Sequence, residues 1–185
     1  MERANAEQLI GEVENQRGRA RKALGGYWFP LVLFGSLALV AALTLELGAP
    51  ERILALWIVA APVGIVATSI YYGRRAHRTG LSAPPVPFIL TSLGIAVGAS
   101  LLGWLGHDSP IGYAGPMLVI GAGYLVFAWL QRSRLAGAFA VALVVAAVGL
   151  YVIHPPHGLS LSMAFLGLGS LLVGAWNLRQ VASAA

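Results

Sequence analysis

Residues 17–46 read RGRARKALGGYWFPLVLFGSLALVAALTLE, and this stretch decides the fold. A basic cluster ends just before an aromatic pair, and the apolar run that follows is long enough to cross a bilayer, which takes about 20 residues. Lys and Arg favour the cytoplasmic side of a membrane, and Trp and Tyr favour its interfaces. The stretch therefore predicts a first membrane helix that starts in the cytoplasm. We expect the basic cluster to contact lipid headgroups through Arg17, Arg19, Arg21 and Lys22.

The composition of the whole chain also indicates a membrane protein. Of the 185 residues, 58% are hydrophobic and only 10% are charged, whereas soluble domains average about 25% charged residues. The chain has no cysteine, which excludes disulfides and thiolate metal sites. The formal net charge is +5, but the basic residues lie at the ends of apolar segments. We therefore predict no nucleic-acid partner.

Five more apolar segments follow the first, and each has about the length that spans a bilayer. We predict an all-α fold, a polytopic membrane helix bundle over residues 27–178. A polar cytoplasmic helix is predicted at residues 1–26 and a short cytoplasmic tail at residues 179–185. The predicted membrane helices cover residues 27–46, 53–72, 87–106, 113–131, 135–153 and 159–178.

The distribution of charge predicts the orientation of these helices. The connections after helices two, four and six carry arginines, whereas Glu46, Glu51 and Asp108 lie on the opposite connections. The positive-inside rule then places both termini in the cytoplasm. Abundant Ala, Gly and Arg suggest a GC-rich bacterial genome, so we predict a bacterial plasma membrane. The connection after helix two is also predicted to contact lipid headgroups, through Arg74, Arg75 and Arg78.

Small residues predict where the helices pack closely. Helix three contains a GxxxG pair, and related small residues recur in helices three and six. Such residues let helix backbones approach each other in lipid. We expect a compact bundle with helix three inside it; the same stripe would alternatively build a homo-oligomer. The residues are Gly94, Gly98, Gly103, Ser170 and Gly174.

The spans contain few groups that could carry chemistry. No charged residue lies in the central part of any predicted span, which argues against proton relays, ion-coupled transporters and voltage sensors. Familiar nucleotide-binding, hydrolase and metalloprotease motifs are missing as well. Pro62 interrupts helix two and predicts a kink, either as a packing feature or as a cavity lining. These features leave the enzyme question open but favour a protein that is not an enzyme, and they predict no cofactor other than the metal ion considered below.

Four polar residues on the outer connections form one candidate site. Imidazole and carboxylate groups suit zinc or copper, although the two histidines that flank Pro155-Pro156 would need a tight turn to share an ion. The alternatives are helix caps at the headgroups, or pH sensing by histidines that change charge in the physiological range. The candidate metal ligands are His107, Asp108, His154 and His157.

Three segments carry a resemblance to a known group of proteins. FPLVLFG at 29–35, YYGRRAHRTG at 71–80 and AWLQRSR at 128–134 resemble small six-helix integral membrane proteins of high-GC actinobacteria. The resemblance implies the membrane topology. It brings no activity and no functional residue to this chain.

Three functional hypotheses are consistent with these features. The first is an accessory or regulatory membrane component that binds membrane lipids and a membrane or cytoplasmic protein partner, using its polar N-terminal helix and basic loops. The second is a small permease or channel-like carrier for a weakly charged solute or lipid, lined by helices two and three. The third is a metal-binding enzyme or sensor on the outer face.

Overall fold

The computed structural model describes residue 11 and residues 28–48, 51–79, 86–106 and 108–182. This part of the chain is all-helical, and a helix is present at each of the six predicted places. The polar helix predicted at residues 1–26 lies outside the described residues, apart from Gly11. The helices are α1 (Trp28–Glu46), α2 (Glu51–Thr79), α3 (Val86–Leu105), α4 (Ile111–Gln131), α5 (Arg134–Ile153) and α6 (Gly158–Ala182).

Four of the described helices are long and apolar enough to cross a membrane. They are α1, α4, α5 and α6, judged by length and composition. In α3 (Val86–Leu105) the part whose side chains are described, Leu90–Leu105, is an apolar helix that is too short to count among these four. The 29 residues of α2 join an apolar part to a basic final section. The prediction of an all-helical fold is therefore confirmed, with four helices that are long and apolar enough to span a membrane.

Two helices extend beyond their predicted ends. The second helix was expected to end at residue 72, but α2 runs on to Thr79 and takes in half of the predicted basic loop. Arginine and alanine favour a helix, and a single glycine such as Gly73 is tolerated in one. The last helix likewise continues to Ala182, so that most of the predicted tail is helical.

The helices pack as an antiparallel bundle with four helices around its core. The most extensive contacts join α1 to α6 and α4 to α5, whereas α2 packs mainly on α1, and α3 on α4. The buried core cluster comes from α1, α4 and α5, with Leu31, Met117, Phe139 and Leu143 as its largest members. The expectation that the third helix lies inside the bundle is wrong. In α3 the side chains of Leu93 and Trp104, among others, are largely exposed.

The antiparallel order sorts the charges of the described residues into two ends. We call the end with Glu46 and Asp108 the acidic end; Arg52 is the one described arginine there. The opposite end is the basic end. Its exposed arginines are Arg74, Arg132, Arg134 and Arg179.

Small residues bring α1 and α6 into backbone contact. A methyl group added at Gly35 would lie 2.9 Å from Cβ of Ser170, and one added at Gly167 would lie 2.8 Å from the carbonyl oxygen of Gly35. At Gly174 it would lie 3.3 Å from Cβ of Leu31. These residues therefore form a tight seam between α1 and α6, which we call the glycine seam. In lipid, close approach of this kind is the main source of helix association.

Candidate functional site

The acidic end holds a cluster of polar side chains that joins the last turn of α1 to the first turn of α6. The Ser160 hydroxyl donates a short hydrogen bond to Oε1 of Glu46. Nδ1 of His157 lies 3.7 Å from the same oxygen. Ser160 is buried, with 7% of its surface exposed, whereas the side chains of His157 and Glu46 are 69% and 51% exposed. One oxygen of the Glu46 carboxylate therefore accepts a hydrogen bond from a buried hydroxyl and lies near an exposed histidine ring.

Two turns of the backbone place these three residues together. After Glu46, Gly48 adopts a left-handed conformation with φ of +72°, which ends α1 in the way that glycine commonly ends a helix. The turn before α6 closes through a hydrogen bond of 3.1 Å from the Gly158 amide to the Pro155 carbonyl oxygen. Gly158 is buried under the ring of Tyr113. The first turn of α6 therefore starts beside the last turn of α1.

The helix dipoles explain why a carboxylate suits this position. A negative charge at the C-terminus of its own helix is unfavourable, and Glu46 is the last residue of α1. The same carboxylate lies against the N-terminal turn of α6, where the helix dipole favours negative charge by about 0.3–1 kcal/mol. The favourable interaction of the Glu46 carboxylate with the N-terminus of α6 therefore offsets its unfavourable interaction with the C-terminus of α1.

The order of the groups does not match that of a hydrolytic triad. In a Ser–His–acid triad the imidazole stands between the hydroxyl and the carboxylate and takes the proton of the nucleophile. Here the carboxylate of Glu46 stands between Ser160 and His157, and the other acceptor near the Ser160 hydroxyl is the His157 carbonyl oxygen at 3.2 Å. The cluster links two helices and does not activate Ser160.

The three predicted metal ligands that the structure describes, Asp108, His154 and His157, have separate surroundings. His107 lies outside the described residues, and Asp108 is exposed in the turn between α3 and α4. His154 ends α5 with φ of 50°, and its ring centroid lies 5.7 Å from that of Tyr151. His157 faces Glu46. Among the described residues no group of three His, Asp or Glu side chains could hold a metal ion, so the metal site stays a prediction that depends on His107.

The small residues predicted to pack lie on two different interfaces. Gly98 faces Val119, and Gly103 faces Pro116, both across the contact between α3 and α4. Gly94 faces open space. Ser170 and Gly174 belong to the glycine seam. The predicted stripe of small residues in α3 therefore packs against α4 over only part of its length.

Of the predicted contacts with lipid headgroups, only Arg74 has a described side chain. It is exposed at the basic end. Arg75 and Arg78 lie in the last turns of α2, and their side chains are not described. The basic cluster at residues 17–22 lies outside the described residues.

Hydroxyl groups in the apolar helices mostly bond to their own backbone, as expected. Ser36, Thr44 and Ser69 each donate a hydrogen bond of 2.8 Å to the carbonyl oxygen four residues earlier. Thr68 differs, because its buried hydroxyl has no hydrogen-bond partner. The three bonded hydroxyls therefore do not indicate a binding site.

Pro62 is accommodated within a continuous α2. It lines an open apolar groove on the surface of that helix. The kink predicted near Trp57–Ile58 stays a prediction.

Two features of the structure were not predicted from the sequence. One is the pairing of Glu46 with Ser160, which are 114 residues apart along the chain. The other is the part that Gly35 and Gly167 play in the glycine seam. For the seam a signal exists, because Gly167, Ser170 and Gly174 recur at helical spacing opposite a helix with its own buried Gly35. The pairing has no such signal, since only the three-dimensional fold brings its two residues together.

No protein-family model, curated protein or solved structure matches this chain. The resemblance to actinobacterial membrane proteins therefore stays a prediction.

The cluster predicts unequal effects of two substitutions on stability. We expect Ser160→Ala to lower the free energy of unfolding by about 1–3 kcal/mol, because it removes a buried donor to a carboxylate. We expect His157→Ala to lower it by less than about 1 kcal/mol, since the contact of His157 with Glu46 is exposed and even an exposed pair of opposite charges contributes little. Thermal or denaturant unfolding in detergent micelles measures both values.

Ser162→Ala is the matched control. Ser162 is also buried in the first turns of α6, but its hydroxyl donates to the Leu159 carbonyl oxygen of the same helix. A loss of stability for Ser160→Ala no larger than that for Ser162→Ala would contradict the link between α1 and α6.

Proposed function

We propose that this chain is a six-span protein of the bacterial plasma membrane with both termini in the cytoplasm. It acts as a non-enzymatic accessory or regulatory component by binding a protein partner. The charge distribution supports the orientation, because Arg74, Arg132, Arg134 and Arg179 share the basic end while Glu46 lies at the other. Basic residues favour the cytoplasmic side of a membrane.

The observation that carries the functional part is the packing of the central helices. Ala38, Ala140 and Leu143 are completely buried between them, and the glycine seam brings α1 and α6 into backbone contact. A core packed mainly with apolar side chains and glycine holds the helices together, and its buried polar side chains among the described residues are three serines, Ser160, Ser162 and Ser170. This favours a structural and binding role over transport among the described helices.

The flanking helices support binding within the membrane. Both α2 and α3 have one extensive neighbour each. They expose large apolar side chains along most of their length, including Val59 and Val63 in α2 and Leu90 and Leu93 in α3. A further helix or a lipid can pack against such faces without disturbing the central four helices.

The topology predicts a labelling pattern on single-cysteine variants, which the cysteine-free chain allows. In intact cells a membrane-impermeant maleimide should label Leu47→Cys and Asp108→Cys but should not label His77→Cys. His77 decides the number of spans, because it is exposed at the basic end of α2. Labelling of His77→Cys after permeabilisation is the control for its reactivity. If α2 and α3 do not cross the membrane, His77→Cys will be labelled from outside.

The partner-binding role predicts a stoichiometric complex. Native mass spectrometry of protein extracted gently from its own membrane should show a defined second chain. Deletion of residues 2–16 should remove that chain, because the polar N-terminal segment is the predicted docking element. Deletion of residues 183–185 is the control and should leave the complex intact. A bare monomer or a homo-oligomer of the full chain would contradict the proposed role.

A further inference from the structure

One face of α2 carries an apolar groove that the bundle leaves open. Its volume is about 370 Å³, and Val63 and Val66 in its wall are 62% and 57% exposed. A helix turns by about 100° per residue, so the lining residues fall on one stripe of α2. The lining consists of Pro62, Val63, Val66, Ala67 and Ile70.

The opposite side of α2 faces the bundle. Gly64 is buried against the ring of Phe34 in α1, where an added methyl group would lie 3.0 Å from that ring. Gly64 and Val66 are two residues apart, which is about 200° around the helix. The groove therefore points away from α1 and toward the surroundings of the protein.

The apolar stripe leads to a cation at the basic end. Arg74 follows Ile70 by four residues and Ala67 by seven, so it lies on the face that carries the groove. It is exposed, as are Gly73 and His77. A methyl group added at Gly73 would meet no atom within 4 Å, so the space between Ile70 and Arg74 is open.

An aromatic cluster indicates the depth of this stripe in a membrane. The ring of Tyr71 stacks on Phe29 at a centroid distance of 4.6 Å and meets the edge of Trp28 at 5.7 Å. Trp and Tyr favour the interface between hydrocarbon and water. With a rise of about 1.5 Å per residue, Arg74 lies about 4.5 Å from Tyr71 toward the basic end, and Pro62 lies about 13 Å in the other direction. Arg74 is therefore at the level of the headgroups, and the groove is at the level of the acyl chains.

We propose that this face of α2 is a binding site for one anionic phospholipid. An acyl chain lies along the groove from Pro62 to Ile70, and the phosphate is bound by the guanidinium of Arg74. Arginine suits this contact because its planar fork can donate two parallel hydrogen bonds to a phosphate. The proposal rests on the six-span topology, since the groove reaches acyl chains only if α2 crosses the membrane.

The charges around the stripe favour an anionic headgroup over a neutral one. Among the described side chains, the carboxylates of Glu46 and Asp108 lie at the acidic end. Arg74 is thus separated from them by most of the length of the bundle.

Native mass spectrometry with added lipid tests the headgroup contact. The protein in detergent micelles should retain phosphatidylglycerol more strongly than phosphatidylcholine. Arg74→Gln should weaken phosphatidylglycerol binding about fivefold, the factor for a loss of about 1 kcal/mol per basic residue, and should weaken phosphatidylcholine binding less, because the choline group offsets the charge of that lipid's phosphate. Arg179→Gln is the matched control, because Arg179 is exposed at the same end in the last turn of α6. Equal losses in the two variants, or equal retention of the two lipids, would overturn the proposal.

A second pair of variants tests the groove. Val66→Trp fills it and should reduce the retention of both lipids. Val145→Trp is the control, since Val145 is 65% exposed on α5, away from the groove. No difference between these variants would also overturn the proposal.

The labelling of His77→Cys distinguishes failure of the six-span topology from failure of the lipid site alone. External labelling of His77→Cys would refute the topology and the lipid site together. Protection of His77→Cys without lipid selectivity would refute the lipid site alone.

Discussion

Direct backbone contact between α1 and α6 is the constraint on which the rest of this bundle depends. Lipid tails are as apolar as the side chains of membrane helices, so burying those side chains gives no net drive for association. Membrane helices therefore associate through close packing and hydrogen bonds. Gly35, Gly167 and Gly174 supply the close packing. The Glu46–Ser160 hydrogen bond adds a polar link at one end of the same interface. The first and last described helices are thereby joined along their length, and α4 and α5 complete the core beside them.

The close contact of α1 with α6 also explains why the flanking helices α2 and α3 each have an exposed face. Among the described residues, α1 contacts α6 extensively, and α2 packs on the bundle mainly through α1. One side of α2 is fixed by Gly64 and by the ring contacts of Tyr71, and the other side carries the open groove and Arg74. A filled core with exposed flanks suits a protein that presents surfaces to lipids and partners. The proposed lipid site and the proposed accessory role both follow from this asymmetry.

Much of the helical architecture could be predicted from the sequence because length and hydropathy decide it locally. The helices start and end close to the predicted positions, apart from the extended ends of α2 and α6. The arrangement of helices was harder to predict, since it depends on which small residues meet. Gly94 and Gly98 have the spacing of a packing motif, yet only Gly98 meets a neighbour. The spacing of small residues shows that close approach is allowed and does not show which helix approaches.

The candidate site was predictable only in part. His157 was recognised from its place in the last outer connection, but its neighbour Glu46 comes from the end of the first membrane helix. Such a pair depends on the antiparallel contact of α1 with α6, which no local pattern encodes. The metal hypothesis grouped residues that share a predicted side of the membrane. Residues on the same side can still be too far apart to bind one ion.

Disulfide formation across the glycine seam tests the central claim most directly. A Cβ atom built on Gly174 lies 3.3 Å from Cβ of Leu31, close to the range of about 3.5–4.5 Å in disulfides. In the cysteine-free chain, the double variant Leu31→Cys/Gly174→Cys should cross-link rapidly on mild oxidation, as measured by intact mass. The control Leu31→Cys/Leu172→Cys should not, because Leu172 is 73% exposed on another face of α6. Equal cross-linking of the two pairs would contradict the antiparallel seam between the first and last helices.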